Sequence, residues 1–269
     1  MFMEDLKAIA KEIRRDIVKS IGKAASGHPG GSLSAVEMLT LLYFEKMNVD
    51  PKNPTKADRD RFVLSKGHAA PALYATLANR GFFPKEELDH LRQVGANLQG
   101  HPSMHTPGVD MATGSLGQGF STAVGMALGA KHQGASWHTY AILGDGEIEE
   151  GIIWEAAMAA SNYGLSNLTA FVDNNNLQID GQVSDVMNPY PIDEKFAAFG
   201  WNVINVADGN DIDQLRAALD QAEACTDKPS VLVCKTVKGK GVSFMENEVG
   251  WHGKGPNPEQ VEQALKDLA

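Results

Sequence analysis

Two polar positions in the chain each close an apolar stretch. Tyr140 to Leu143 runs into Gly144-Asp145-Gly146, and Leu168 to Val172 runs into Asp173-Asn174-Asn175-Asn176. Between them Ile152, Ile153, Ala156, Ala157 and Ala160 recur at helical spacing. A strand–helix–strand unit of this kind builds a parallel sheet with a right-handed crossover. Both polar loops then fall at the carboxyl ends of strands, where open α/β sheets bind ligands. Flanked by glycines, the Asp145 carboxylate can project from a tight turn, and the Gly144 and Gly146 N–H groups can approach a phosphate. Asn175 adds a neutral amide oxygen. One carboxylate, one amide oxygen and a main-chain carbonyl suit Mg²⁺ or Ca²⁺, and leave room for water and phosphate oxygens. An isolated Gly-Asp-Gly is more often a plain turn, and an asparagine run a solvated loop. The pairing of the two at strand ends is what points to chemistry.

Four of the eight histidines stand in glycine-rich loops: His28 in GHPG, His68 in KGHA, His101 in GHPS and His252 in WHGKG. A lone histidine is more often structural than catalytic, but four in such loops are hard to dismiss. Their spacing is not that of a zinc site. Imidazoles near neutral pKa suit proton transfer to hydroxyl and carbonyl oxygens.

The surrounding elements follow from periodicity. Leu6, Ile9, Ile13 and Ile17 predict an opening amphipathic helix that ends near Gly22. After SGHPGGSLS a helix is expected from Ser34 to about Met47, then a loop with Pro51 and Pro54. Arg61 to Ser65 reads as a strand, followed by a helix through Leu73, Tyr74 and Leu77 closed by Gly81, and another around Glu86 to Val94. The long polar loop up to Gly117 suggests function rather than connection. A small-residue helix is expected over about Gly117 to His132, and helices over Asp193 to Phe199 and Asp211 to Ala224. Trp201 to Val206 and Ser230 to Thr236 read as strands. Asn257, Pro258 and Gln260 form a capping-box pattern for a short closing helix. The alternation predicts a three-layer α/β/α fold with a mostly parallel sheet, as one domain over 1–269.

Hydrophobic residues at 43% suit a globular core, and the formal net charge of −10 argues against a general binder of nucleic acid or anionic membrane. Cys225 and Cys234 make no disulfide framework and read as free, buried thiols of a reducing cytoplasm. No apolar run is long enough to span a bilayer, and the charged start of the chain is unlike a signal peptide. Neither a GxGxxG after a first strand nor a Walker-type lysine motif is present.

GDG followed by an asparagine pair resembles the thiamine diphosphate motif, and GDGEIEEGIIWEA…LSNLTAFVDNNNLQIDG is similar to its transketolase form. SGHPGGSLS, LSKGHAAPALY, GHP…PGV…TGSLGQG and the late WHG resemble transketolase segments in the same order. The resemblance implies a thiamine diphosphate-binding fold and transfer of a two-carbon ketol unit from a ketose (phosphate) to an aldose (phosphate), in carbohydrate metabolism of the pentose phosphate kind. By the same resemblance Asp145, Asn175 and the Leu177 carbonyl hold Mg²⁺, with Ca²⁺ or Mn²⁺ as substitutes. His68 and His252 lie near the diphosphate with Gly144 and Gly146; His28, His101 and His252 face the sugar and share proton transfers. Gly114 and Leu116 lie against the aminopyrimidine, and Glu150 joins a carboxylate network at a subunit interface. His105, His132 and His138 match no family site and are expected to be structural or exposed. Ser115 in place of a frequent proline, and Gly31-Ser32 in place of a more usual Ala-Pro, remove no functional group.

The resemblance covers essentially all 269 residues but only the diphosphate-binding half of a full transketolase. Two explanations compete, a piece of a longer chain and the N-terminal subunit of a split enzyme; the GHPGGSLS form resembles the split type, and the second is expected. A C-terminal partner would bring the pyrimidine-binding domain, the activating glutamate and the sugar-phosphate arginines, in an α2β2 assembly. A 2-oxoacid dehydrogenase α-type subunit or a deoxyxylulose-phosphate synthase-like chain shares GDG…NN, but the histidine segments favour transketolase. A non-catalytic module keeping the fold is the rival of a different class; the retained Asp145, Asn175 and histidines argue against it.

Overall fold

The computed structural model describes residues 5–269. Five strands form one sheet: β1 (Arg61–Leu64), β2 (Thr139–Gly144), β3 (Leu168–Asn174), β4 (Asn202–Val206) and β5 (Ser230–Lys235), in the order β1-β2-β3-β5-β4. Every paired strand is parallel to its neighbour, so the expected mostly parallel sheet is parallel throughout.

The strands are apolar on both faces because helices cover both. In register across the sheet, Val63, Ala141, Ala170, Val231 and Val203 form one row, and Leu64, Ile142, Phe171, Leu232 and Ile204 the next. Successive side chains point to opposite faces, and the two rows belong to two separate cores. The second row packs with α1 (Leu6–Ala24), α3 (Val36–Leu41), α4 (Ala70–Arg80) and α9 (Ile212–Glu223). The first row packs with α5 (Gln118–Gln133), α6 (Gly151–Asn162) and α8 (Ile192–Ala198). Phe171 is fully buried in the α1 core; its truncation to alanine is expected to cost about 3–5 kcal/mol. Three short helices complete the chain: α2 (Pro29–Ser34), α7 (Val183–Val186) and α10 (Pro258–Asp267). The capping box of α10 forms as the sequence indicates, with Asn257 and Gln260 bonded reciprocally.

The opening helix ends near Gly22 as expected, at Ala24, and closes on Ala25 in the left-handed conformation. Three expectations need correction. The second helix begins at Pro29, inside the glycine-rich segment, and breaks at Ala35 before a wide turn over Leu42–Lys46. Proline at the first helical position starts it, and its glycines are buried: a Cβ on Gly30 would lie 3.0 Å from Lys238 and from the Trp251 carbonyl. The helix expected near Glu86 to Val94 is only a 3₁₀ turn, Lys85–His90. Leu88 and Leu91 are the apolar anchors buried there, and the left-handed Arg92 ends the turn. Of the two thiols, Cys234 is buried as expected but Cys225 is half-exposed; both are free.

Candidate active site

The site lies across the carboxyl ends of four neighbouring strands. Strand β1 delivers Lys66 and His68, β2 delivers Asp145, β3 delivers Asp173 to Leu177, and β5 delivers Lys238. One pocket is lined by Gly31, Lys66, His68, Leu116, Gly144, Asp145, Gly146, Glu147, Asn175, Leu177, Lys238 and His252, among others. Of the residues singled out in the sequence, Asp145, Asn175, Leu177, His68, His252, Gly144, Gly146 and Leu116 therefore meet in one place.

Asp145 is buried, at 2% exposure. Its carboxylate accepts the Gly146 N–H at 2.9 Å and the Asn176 N–H. Burial, and then the charge of Asp173, push it up to about 7: a carboxylate short of a cation. Asn175 is held at both ends, its Oδ1 accepting the Leu177 N–H at 3.1 Å and its Nδ2 donating to Asp173 at 3.3 Å. The Leu177 carbonyl accepts from the Lys238 ammonium at 2.7 Å. The Leu177 oxygen thus already faces a positive charge. Among the described residues no group of three or more His, Cys, Asp and Glu could hold a metal. A carboxylate, an amide and a main-chain carbonyl form a different set, one that fits a hard, oxygen-seeking divalent cation sharing phosphate oxygens.

All four loop histidines come together. Ring centroids of His28 lie 5.5 Å from His68, 6.3 Å from His101 and 5.5 Å from His252, and His68 stacks on His252 at 5.1 Å. Lys238 Nζ stands 2.9 Å from His252 Nδ1. An ammonium only donates, so His252 carries its proton on Nε2. Burial pulls His28 down to about 4 and His252 to about 3, with the Arg92 and Lys238 charges next in each case. Burial holds His68 well below its ordinary range, aided by Lys66, and lowers His101, aided by Arg92. The cluster is therefore neutral near pH 7.

His101 is exposed at the mouth, and Gly114 (φ 154°) passes beneath its ring; a Cβ there would come within 3.3 Å. Glu150 caps the start of α6 and is exposed, outside the pocket lining. His105 and His132 are exposed, and His138 Nε2 lies 2.9 Å from the Thr169 hydroxyl at the far end of the sheet.

Residues 6–269 match the family model described as Transketolase, thiamine diphosphate binding domain. The chain belongs to that family. It is 47% identical over 265 residues to the 6-deoxy-6-sulfo-D-fructose transketolase subunit SqwG of Clostridium sp. (strain MSTE9), covering 98% of this chain and 96% of that protein. It is 42% identical over 269 residues to an apulose-4-phosphate transketolase subunit of Phocaeicola vulgatus, covering 100% of this chain and 95% of the relative. The transketolase structure from Campylobacter jejuni superposes with a TM-score of 0.94 at 34% identity, covering all of this chain and 43% of that one. The chain thus spans nearly the whole of its subunit-type relatives and less than half of the longer transketolase.

Four residues of this transketolase domain escaped the sequence reading: Lys66, Glu147, Asp173 and Lys238. Lys66 and Asp173 form a fully buried ion pair; Lys66 Nζ also donates to the Gly31 carbonyl at 2.7 Å. Burial alone would raise Asp173, but the Lys66 charge and hydrogen bonds from Lys66, Ser34 and Thr236 hold it below its ordinary value. Glu147 accepts from the Ser65 hydroxyl at 2.5 Å and from the N–H groups of Gly117 and Gly144 at 2.8 and 3.0 Å. It thereby ties the ends of β1 and β2 to the start of α5. Lys238 is buried and drawn down to about 8 by that burial. Its signal was present: a lysine between Val237 and Gly239 just beyond the last apolar strand.

Proposed function

We propose that this chain is the diphosphate-binding, N-terminal subunit of a thiamine diphosphate-dependent transketolase. It transfers a two-carbon ketol unit from a ketose to an aldose, with a C-terminal partner chain completing the site. The observation that carries the reading is the convergence of Asp145, Asn175, the Leu177 carbonyl and four histidines at the carboxyl end of the sheet.

In this reading Asp145, Asn175 and Leu177 hold Mg²⁺, and His68, Lys238 and the Gly144 and Gly146 backbone receive the diphosphate. When bound, thiamine diphosphate supplies the nucleophilic carbon and the electron sink for the transfer. The chain's residues do the rest. Gly114 and Leu116 flank the aminopyrimidine, and Glu150 faces the subunit interface. His28, His101 and His252 hold the sugar hydroxyls, since a neutral imidazole offers both a donor and an acceptor nitrogen, and share the proton transfers at the carbonyl and hydroxyl oxygens. The substrates are sugar phosphates or related anionic sugars, as the names of the subunit-type relatives suggest. The assembly is α2β2, and the enzyme works in the cytoplasm within pentose phosphate-type metabolism. Among the described residues no helix is long and apolar enough to cross a membrane.

The test is product analysis with a ketose phosphate donor and an aldose acceptor, thiamine diphosphate and Mg²⁺, for the chain alone and mixed with its candidate partner. Ketol transfer only in the mixture is expected. Turnover of pyruvate in place of the ketose, or transfer by the chain alone, would overturn the assignment.

A further inference from the structure

Arg92 lies outside the pocket lining, yet it joins the two loops that carry His28 and His101. Its backbone is left-handed (φ 62°), a conformation that a non-glycine residue keeps only where its surroundings impose it. Here its N–H donates to the Leu98 carbonyl at 2.7 Å. The side chain then turns inward. Nη1 donates at 2.9 Å to the hydroxyl of Ser26, two residues before His28. The guanidinium lies against Gly100, one residue before His101; a Cβ there would stand 3.0 Å from it. Its Nε is buried with no partner. From the other side, the Tyr74 hydroxyl donates to the His101 carbonyl at 2.9 Å.

We propose that Arg92 is a positioning residue that fixes the His28 loop against the His101 loop and so sets the spacing of the two imidazoles. The inference rests on the transketolase reading, in which that pair faces the sugar. A rigid, planar fork can reach both loops at once, which a single ammonium cannot. Its charge also faces both rings. His28 is faced by Arg92, Lys238 and the rings of His68, His101 and His252, and His101 by Arg92 and His28. Burial lowers both rings first, and the fixed Arg92 cation lowers them further.

The test uses Arg92→Lys and Arg92→Met in the chain with its partner, with histidine titration by NMR on the chain itself. Arg92→Lys keeps the charge and loses the fork, so kcat/KM should fall by about 10- to 100-fold. Cofactor affinity should stay within about twofold, because the diphosphate residues are untouched. Arg92→Met should show the same loss, and the His28 and His101 titrations should both move to higher pH. Full activity in both variants, or losses of activity matched by equal losses of cofactor affinity and melting temperature, would overturn the role. If no partner restores ketol transfer even to the unaltered chain, the functional reading fails. NMR of Arg92→Lys then decides Arg92 alone: with the charge kept, displaced His28 and His101 ring signals support the positioning role, and unmoved signals refute it.

Discussion

The floor and the mouth of the site are built on opposite plans. In the floor every charge is consumed. Asp173 takes hydrogen bonds from Ser34, Lys66, Asn175 and Thr236, and Glu147 takes three, all out of solvent. At the mouth polar groups are placed but left free: His28 Nδ1 is buried with no partner, and His101 is exposed. A buried charge without its partners is costly, so the floor must be complete for the strands to end where they do. Groups that exchange protons must keep an unfilled valence for substrate. Architecture and chemistry thus occupy adjacent but separate residues.

Breaking the floor should give the largest effect. Lys66→Met strands Asp173 in a site with no solvent, and a loss of about 3–5 kcal/mol is expected by urea unfolding. A loss below about 1 kcal/mol would show that the pair is not structural. The next effect sharpens the contrast. His101→Ala removes an exposed ring, so unfolding should change by no more than about 0.5 kcal/mol. In the assembled enzyme its kcat should fall by about 100-fold, with cofactor affinity nearly unchanged. A matching stability loss would erase the distinction between floor and mouth.

The smallest effect is in pH. His28 and His138 are both held down to about 4, the first by burial and then Arg92, the second by burial. Both folded values lie below the ordinary 6.5, so between those values the unfolded chain binds more protons. Stability is therefore full above about pH 6.5 and declines as pH falls toward about 4. His138→Gln should flatten that decline and leave the mouth intact; an unchanged pH profile of unfolding would contradict the assignment.

Much of this was legible in the sequence. The strands were, because both cores impose apolar runs between turn residues. Asp145 and Asn175 were, because glycines and a polar run mark strand ends. The floor was not: Lys66, Glu147 and Asp173 look like ordinary surface charges until the sheet order places β1 beside β2 and β2 beside β3. The helix at Pro29 was missed because Gly30 and Gly31 argue locally for a loop. Their smallness serves tertiary contact with Lys238 and His68. Arg92 was missed because its partners, Ser26 and Gly100, are distant or featureless in sequence.

The most direct test of the central claim is Asp145→Ala in the chain paired with its partner, assayed for ketol transfer and for Mg²⁺-dependent retention of thiamine diphosphate. Loss of both, with the fold unchanged by circular dichroism, is the expected result. Full transfer at saturating Mg²⁺ would contradict the account, because the carboxylate at the end of β2 would then not be what holds the metal.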